Sequence, residues 1–352
     1  MWAGFAAYLG VLWVAPRLGR RVVWGLILVL VAGFAIAPVL LSHDVYSYVD
    51  YARLGVRHGL DPYVHPPLAA PGDPAYADVT WTEATSAYGP LFTLATYPLA
   101  WLPVGAAVAV LKAVAALSVL GIAALSARIA AWRGIDPLRA AAFVALNPLV
   151  LVHVVGGAHN DALTMLLAML AVATVLSSRE LSAGAALAAA VATKLSAGFI
   201  APFALVGAER RGRLLLGAAG AAAAIGLFAY LEFGWDWLHG FGLAGENQSR
   251  TSHMSIPITV ARIGGLDPDG VRLAFALLFA ALVIYLLAWT ARGGDWIRAA
   301  AWTAFALLIA TAWLLPWYLI WPLPLAAISR DRPLQLLTLA LTAYQLGARI
   351  PL

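Results

Sequence analysis

Cysteine is absent from all 352 residues. That excludes disulfide scaffolds, thiolate metal sites and cysteine nucleophiles. Charge is scarce, at 11% Asp, Glu, Lys and Arg, where a soluble domain carries about 25%. Lysine occurs only at Lys112 and Lys194; the other cations are arginine. The chain has no Walker loop, no nucleotide-binding glycine fingerprint and no HExxH zinc motif, so an energy source from cytoplasmic nucleotide is not indicated. Met1 to Ala15 is apolar but lacks a small-residue cleavage site and does not read as a signal peptide. What is plentiful is apolar surface. Apolar residues make up 63% of the chain, against roughly 45–50% in soluble proteins. Only lipid accommodates that excess, which excludes a soluble enzyme and a disordered tail. A spanning helix takes about 20 residues, so the length allows roughly ten spans. The net charge of +5 then belongs to basic cytoplasmic loops rather than to nucleic-acid binding.

Short cytoplasmic loops collect arginine. Clusters fall at Arg17/Arg20/Arg21, Arg128/Arg133/Arg139, Arg179, Arg210/Arg211/Arg213, Arg292/Arg298 and Arg330/Arg332. With these inside, Val22 to Leu41 spans outward and residues 42–89 form a first external loop. The apolar stretches Pro90 to Leu102 and Val104 to Ala127 follow. Leu138 to Val154 and Ala162 to Leu176 flank an external turn at Gly156 to Asp161. The single apolar stretch Leu181 to Val206 joins two cytoplasmic clusters, so it is expected to break near Lys194 to Gly198. Such irregular backbone survives at membrane depth only where it is buried in protein or lines a cavity. Leu214 to Leu231 goes out, residues 232–257 form a second external segment, and Val271 to Ala291 returns. Trp296 to Trp313 and Tyr318 to Ile328 turn around Leu315 to Tyr318, and Leu334 to Ala348 crosses last. The expectation is a single all-α polytopic membrane domain over residues 1–352 with about 10–12 membrane segments, some broken or re-entrant. It is multi-pass in the cell membrane.

The candidate chemistry gathers on the external side. Val45 to Arg57 reads as an amphipathic helix lying in the interface, closed by Gly59. Asp44 stands at its start, as an N-cap or as a functional carboxylate. In His159-Asn160-Asp161, Asn160 or Asp161 caps the next helix, or the triplet supplies donors and a base at a cavity mouth. Lys194 is a lone cation within an apolar stretch, and intramembrane charges are functional candidates by default; the other reading is snorkelling. Arg53, Arg57, Arg250 and Arg262 are external cations that an anionic lipid headgroup would explain. Tyr88-Gly89-Pro90 and Leu315-Pro316-Trp317-Tyr318 sit at external helix ends, as aromatic-belt anchors or as sugar-stacking rings.

The run Asp44-Val-Tyr-Ser-Tyr, with Gly59-Leu-Asp-Pro-Tyr63, resembles the first-loop signature of the actinobacterial polyprenol-phosphate-mannose-dependent α-(1→6)-mannosyltransferases. Tyr88-Gly-Pro90, His159-Asn-Asp161, Thr193-Lys194 and Pro316-Trp-Tyr318 occur in the matching order, so the resemblance runs from Val22 to about Ile328. The chain is shorter than that family leads one to expect. The resemblance implies a GT-C-type multispan helical bundle with interfacial helices in the first external loop and a catalytic aspartate there, placing Asp44 in the catalytic position.

The expected activity is an inverting transfer of a sugar, most simply mannose. The donor is a polyprenyl-phosphate sugar, the acceptor an envelope glycan or glycolipid, and the active site faces the extracytoplasmic side. Asp44 would act as general base, with Asp161 or Asp50 as runner-up. Lys194 and Arg53 would meet the departing phosphate. Tyr46, Tyr48, Asp61, Tyr63, Tyr88, His159, Asn160, Asp161, Trp317 and Tyr318 would contact sugar or acceptor. No cofactor is expected and no divalent ion is expected to be required. Two other classes compete. Broken helices and an intramembrane lysine also suit a transporter or flippase for a lipid-linked sugar, although no inverted repeat is evident. A non-catalytic envelope-complex subunit would keep the fold without the activity.

Overall fold

The computed structural model describes residues 1–246 and 250–347. Parts of two expected segments, residues 247–249 of the second external segment and Ala348 of the last crossing, therefore lie outside the described residues, as does the rest of 348–352. Among the described residues there are sixteen α-helices and no strand. In chain order they are α1 (Trp2–Val14), α2 (Arg20–Ile36), α3 (Asp44–His58), α4 (Pro90–Thr96), α5 (Val104–Trp132), α6 (Pro137–Ala145), α7 (Asp161–Leu176) and α8 (Glu180–Thr193). They continue with α9 (Ala201–Gly207), α10 (Arg211–Phe233), α11 (His239–Glu246), α12 (Ile256–Gly264), α13 (Pro268–Ala291), α14 (Trp296–Ala310), α15 (Pro322–Ile328) and α16 (Arg332–Gly347).

Among the described residues three helices, α5, α10 and α13, are long and apolar enough to cross a bilayer. Helix α13 turns Leu273, Leu277, Leu278 and Ile284 outward, each more than 60% exposed. Water would penalise that face heavily, whereas lipid accepts it, so the chain is a membrane protein. The main buried core is drawn chiefly from α5, α6, α7, α14 and α15, and α8 packs between α7 and α10. Small residues let α8 and α10 touch backbone to backbone. A Cβ at Gly184 would run into the Leu214 carbonyl, and one at Gly217 into that of Leu181. Close approach of this kind replaces the hydrophobic drive that lipid removes.

Two expected stretches are interrupted, each for a physical reason. The segment read as one span from Leu138 to Val154 is not one helix. Helix α6 stops at Ala145, and a π-helix covers Val150–Val155. Pro148 cannot donate into a continuing helix, and Asn147 turns its side chain onto the Leu149 N–H, 3.0 Å away. The stretch between Arg179 and Arg210 does break where expected. Helix α8 ends at Thr193, Lys194 is extended (φ −157°, ψ 126°), and a 3₁₀ turn leads into α9.

The amphipathic helix of the first loop is α3, and Gly59 closes it with a left-handed φ of 65°. There the Leu60 N–H reaches back 3.0 Å to the Leu54 carbonyl. The apolar side of α3 is buried against α4, α5 and the Tyr97–Trp101 turn. Its ordering fixes where Asp44 stands.

Candidate active site

Asp44 is delivered by an irregular stretch after α2. Lys112 on α5 donates to the carbonyls of Ala37 and Pro38, the latter at 3.0 Å. These acceptors lie at the end of α2, where helix carbonyls lose their intrahelical partners. The Leu40 N–H then donates to Gly156 at 3.2 Å, and Leu41 takes a left-handed φ of 62°. Lys112 thus braces the approach to Asp44, a role that sequence reasoning missed. Its signal was a lone cation in a long apolar helix, the same signal that drew attention to Lys194.

Asp44 does not cap α3. The cap residue is His43, and no side chain makes a capping bond there. The carboxylate instead accepts from Trp81 Nε1 at 3.1 Å through Oδ1, and Oδ2 lies 3.7 Å from His159 Nδ1. Burial pushes its pKa above the usual carboxylate range; the Trp81 hydrogen bond and the charge of Lys194 oppose that shift and Asp161 adds to it.

Neither Asn160 nor Asp161 caps α7 with its side chain. Asp161 is fully buried and both of its oxygens are taken. Lys194 Nζ donates to Oδ1 at 2.8 Å and to Oδ2 at 2.7 Å, and Trp321 Nε1 donates to Oδ1 at 2.8 Å. The Lys194 ammonium also sits 5.3 Å from the Tyr318 ring centre and 5.9 Å from that of Trp321. It does not snorkel; its charge is met inside the protein by a carboxylate 33 residues away.

A cavity of about 770 Å³ opens in front of these groups. Asp44, Tyr88, Lys194, Trp317 and Tyr318, all expected site residues, line it. Trp81, Arg250, Arg272 and Trp313 line it too. Arg250 stacks over Trp81 at 4.9 Å, and Arg272 pairs with Asp269 at 2.9 Å. Much of the remaining lining is apolar, with Leu243 from α11, Leu273, Ala276 and Phe279 from α13, and Leu307 and Ala310 from α14. Tyr88-Gly89-Pro90 gains a structural meaning here. Gly89 packs against the Ala192 carbonyl, where a Cβ would collide, and its N–H donates to Thr193 at 3.1 Å. Tyr88 is thereby held beside the break that carries Lys194.

Several expected contacts lie elsewhere. Arg53 is nine residues beyond Asp44, two and a half turns at about 3.6 residues per turn, so it leaves the far side of α3. It binds Asp73 at 2.7 Å and the Ala100 carbonyl at 3.1 Å. Arg57 reaches the same carbonyl at 3.1 Å and stacks on Trp101. Tyr46 packs against His43 at the surface. Tyr48 is buried edge-on against Tyr88 and Phe92. Tyr63 is buried, its hydroxyl donating to the Tyr88 carbonyl and hydrogen-bonded to the Thr93 hydroxyl, each at 3.0 Å. Asp61 receives the Tyr63 N–H at 2.8 Å. His159, Asn160 and Asp161 are 1%, 4% and 0% exposed and stand behind the cavity wall. Asp50 is buried behind α3, where burial and the neighbouring Asp73 push its pKa to about 7 against the pull of His58 and Arg53. It does not line the cavity.

The site therefore offers a half-buried carboxylate, three cations, aromatic rings and an apolar wall. Among the described residues, no group of three His, Asp or Glu side chains gathers as metal ligands.

Residues 1–210 match the family described as alpha-(1→6)-mannopyranosyltransferase, N-terminal domain. An alpha-(1→6)-mannopyranosyltransferase A of Mycobacterium tuberculosis is 31% identical over 333 residues, covering 83% of this chain and 63% of its own length. The protein of the same name from Corynebacterium glutamicum is 32% identical over 173 residues, 47% of this chain and 35% of that protein. The chain thus spans less than two thirds of the length of these relatives.

Proposed function

This chain belongs to the α-(1→6)-mannopyranosyltransferase family, and from that membership and the cavity we propose that it transfers mannose from a polyprenyl-phosphate carrier to a glycan or glycolipid acceptor. The observation that carries the reading is the pairing, in one cavity, of the Asp44 carboxylate with an apolar wall on α11, α13 and α14. A sugar held by a prenyl chain needs both, a greasy surface for the lipid and a base at the reacting carbon.

In this reaction Asp44 takes the proton from the acceptor hydroxyl as that oxygen attacks the anomeric carbon. The bond from that carbon to the phosphate oxygen breaks, and the phosphate leaves with the electron pair. One carboxylate and no covalent intermediate give inversion, so an α product consumes a β-linked donor. The leaving group is already anionic and needs charge stabilisation rather than a general acid. Lys194 spends two of its three N–H donors on Asp161; the third, with Arg250 and Arg272 lining the same cavity, meets the phosphate. Trp313, Trp317 and Tyr318, which line the cavity, meet the sugar. No divalent ion enters these steps.

The reaction is read on the extracytoplasmic face. Helix α7 runs from Asp161, beside the cavity, to Leu176 near Arg179, and α8 runs back from Glu180 to Thr193. The cavity and the Arg179 end of this pair are thus at opposite ends of helices 14 to 16 residues long, and the positive-inside rule places the arginine end in the cytoplasm. The cysteine-free background suits labelling. A cysteine at the exposed Ala77 reacts with an impermeant maleimide from outside; reaction only from the cytoplasm overturns the orientation.

The activity test supplies the purified protein with synthetic polyprenyl-phosphate mannose, glucose or arabinose and a mannan oligosaccharide. The expected result is elongation by mannose with an α-(1→6) linkage. Transfer only from a sugar nucleotide, or movement of the lipid-linked sugar across vesicles without transfer, contradicts the reading.

A further inference from the structure

His159 touches neither the cavity nor the surface, yet an unusual amount of local structure is devoted to placing its ring. Residues Val150–Val155 form a π-helix, a geometry that concentrates at functional sites. The chain then turns sharply through Gly156 and Gly157. A Cβ at Gly156 would strike the Val152 carbonyl and Leu40, and a Cβ at Gly157 would strike the His153 carbonyl and approach the His159 ring to 3.0 Å. Ala158 holds a left-handed φ of 55°, a conformation that a residue with a Cβ rarely adopts. The His159 N–H closes the turn on the Val154 carbonyl at 3.0 Å.

The ring is held closely. Trp317 stacks on it with centres 3.8 Å apart and planes at 15°, and Gly157 leaves no room for a Cβ beside its Cδ2 and Nε2 atoms. Its Nδ1 edge faces Asp44 Oδ2 at 3.7 Å. The two segments are also tied directly, because the Leu40 N–H donates to the Gly156 carbonyl at 3.2 Å. Trp81 fixes the other carboxylate oxygen at 3.1 Å. A base works only when its lone pair is aimed at the proton that it takes, and groups that aim it need locked rotamers of their own. Catalytic hydrogen bonds are often this long before substrate binds.

We propose that His159 is a positioning residue for Asp44, and that the 150–159 turn together with Trp317 exists to hold its Nδ1 against the Asp44 carboxylate. This rests on the reading of Asp44 as the base. It replaces the expectation that His159 binds sugar, because a ring 1% exposed behind the cavity wall acts on substrate through Asp44.

The test compares kcat and KM of the purified full chain, using polyprenyl-phosphate mannose as donor, for His159→Phe, His159→Asn and His159→Gln, with Asp44→Asn alongside. His159→Phe keeps the stack and loses the nitrogen, so kcat is expected to fall on the order of 10²-fold with donor and acceptor KM unchanged. His159→Asn places an amide nitrogen near the Nδ1 position and recovers much of kcat; His159→Gln, whose amide sits one bond further out, does not. If His159→Phe fails to fold, the Asn and Gln pair carries the same contrast. A rise in KM at constant kcat, or equal kcat for Asn and Gln, overturns the proposal. If Asp44→Asn retains wild-type turnover, the base reading itself falls, an outcome distinct from a dead Asp44→Asn beside a fully active His159→Phe.

Discussion

The heads of α3 and α7 look alike in sequence and differ in what surrounds them. Each helix begins on an aspartate, and neither aspartate caps its helix. Asp161 is sealed from solvent, with two bonds from Lys194 and one from Trp321. Asp44 keeps 16% of its side chain exposed in the cavity and has one short bond, from Trp81. A carboxylate with both oxygens engaged by donors in the ground state holds structure together. One left partly unsatisfied at a cavity wall is available to take a proton, and its raised pKa makes it a stronger base. The Lys194–Asp161 pair pins the α8 break to the start of α7, while Asp44 is the base of the proposed reaction.

Changing each aspartate separates the two roles most strongly. Asp44→Asn is expected to lower turnover by about 10²–10⁴-fold with little change in melting temperature, measured by initial rates and thermal unfolding in detergent. Breaking the buried pair acts on stability instead. Lys194→Met leaves Asp161 charged, buried and unpaired, at a cost of roughly 3–5 kcal/mol. The double variant Lys194→Met/Asp161→Asn recovers most of that loss. Once refolded stability is matched, an increase in donor KM in the double variant reports the third N–H of Lys194 on the phosphate. An unchanged donor KM confines Lys194 to its structural role.

A smaller effect comes from Asp50, which lies on α3 but faces away from the cavity. Its folded pKa of about 7 stands above the ordinary value. The stability that it contributes is therefore complete below the unfolded carboxylate pKa and is lost as pH rises through about 7. Asp50→Asn should flatten the dependence of melting temperature on pH between about 4 and 7 while leaving kcat unchanged. The smallest effect belongs to Trp81→Phe. Removing that hydrogen bond lets the Asp44 pKa climb further, so the acid limb of the rate profile should move to higher pH.

Local features of the fold were legible in the sequence. Periodicity and Gly59 marked α3, and the conflict between one apolar stretch and two arginine clusters marked the break at Lys194. Apolar excess marked the membrane. Partners distant in sequence were not legible. Lys194 looked like a free cation because nothing near it in sequence is acidic; Asp161 comes to it only when α7 and α8 pack. The π-helix escaped notice because Val150 to Val155 has the composition of an ordinary span. Arg53 was a misreading that helix geometry alone would have prevented, since nine residues carry a side chain to the opposite face. Tyr48 and Tyr63 belong to the site's motif, yet the structure uses them as packing beneath Tyr88.

The assignment of the base to the head of α3 is tested most directly by the pH dependence of kcat/KM in the wild type and in Asp44→Asn. Burial raises the Asp44 pKa, so wild-type activity is expected to fall with decreasing pH along a limb lying above the ordinary carboxylate value of about 3.9. The residual activity of Asp44→Asn should lack that limb. A limb that persists unchanged in Asp44→Asn would show that another group, with Asp161 first in line, is the ionisation that the reaction requires.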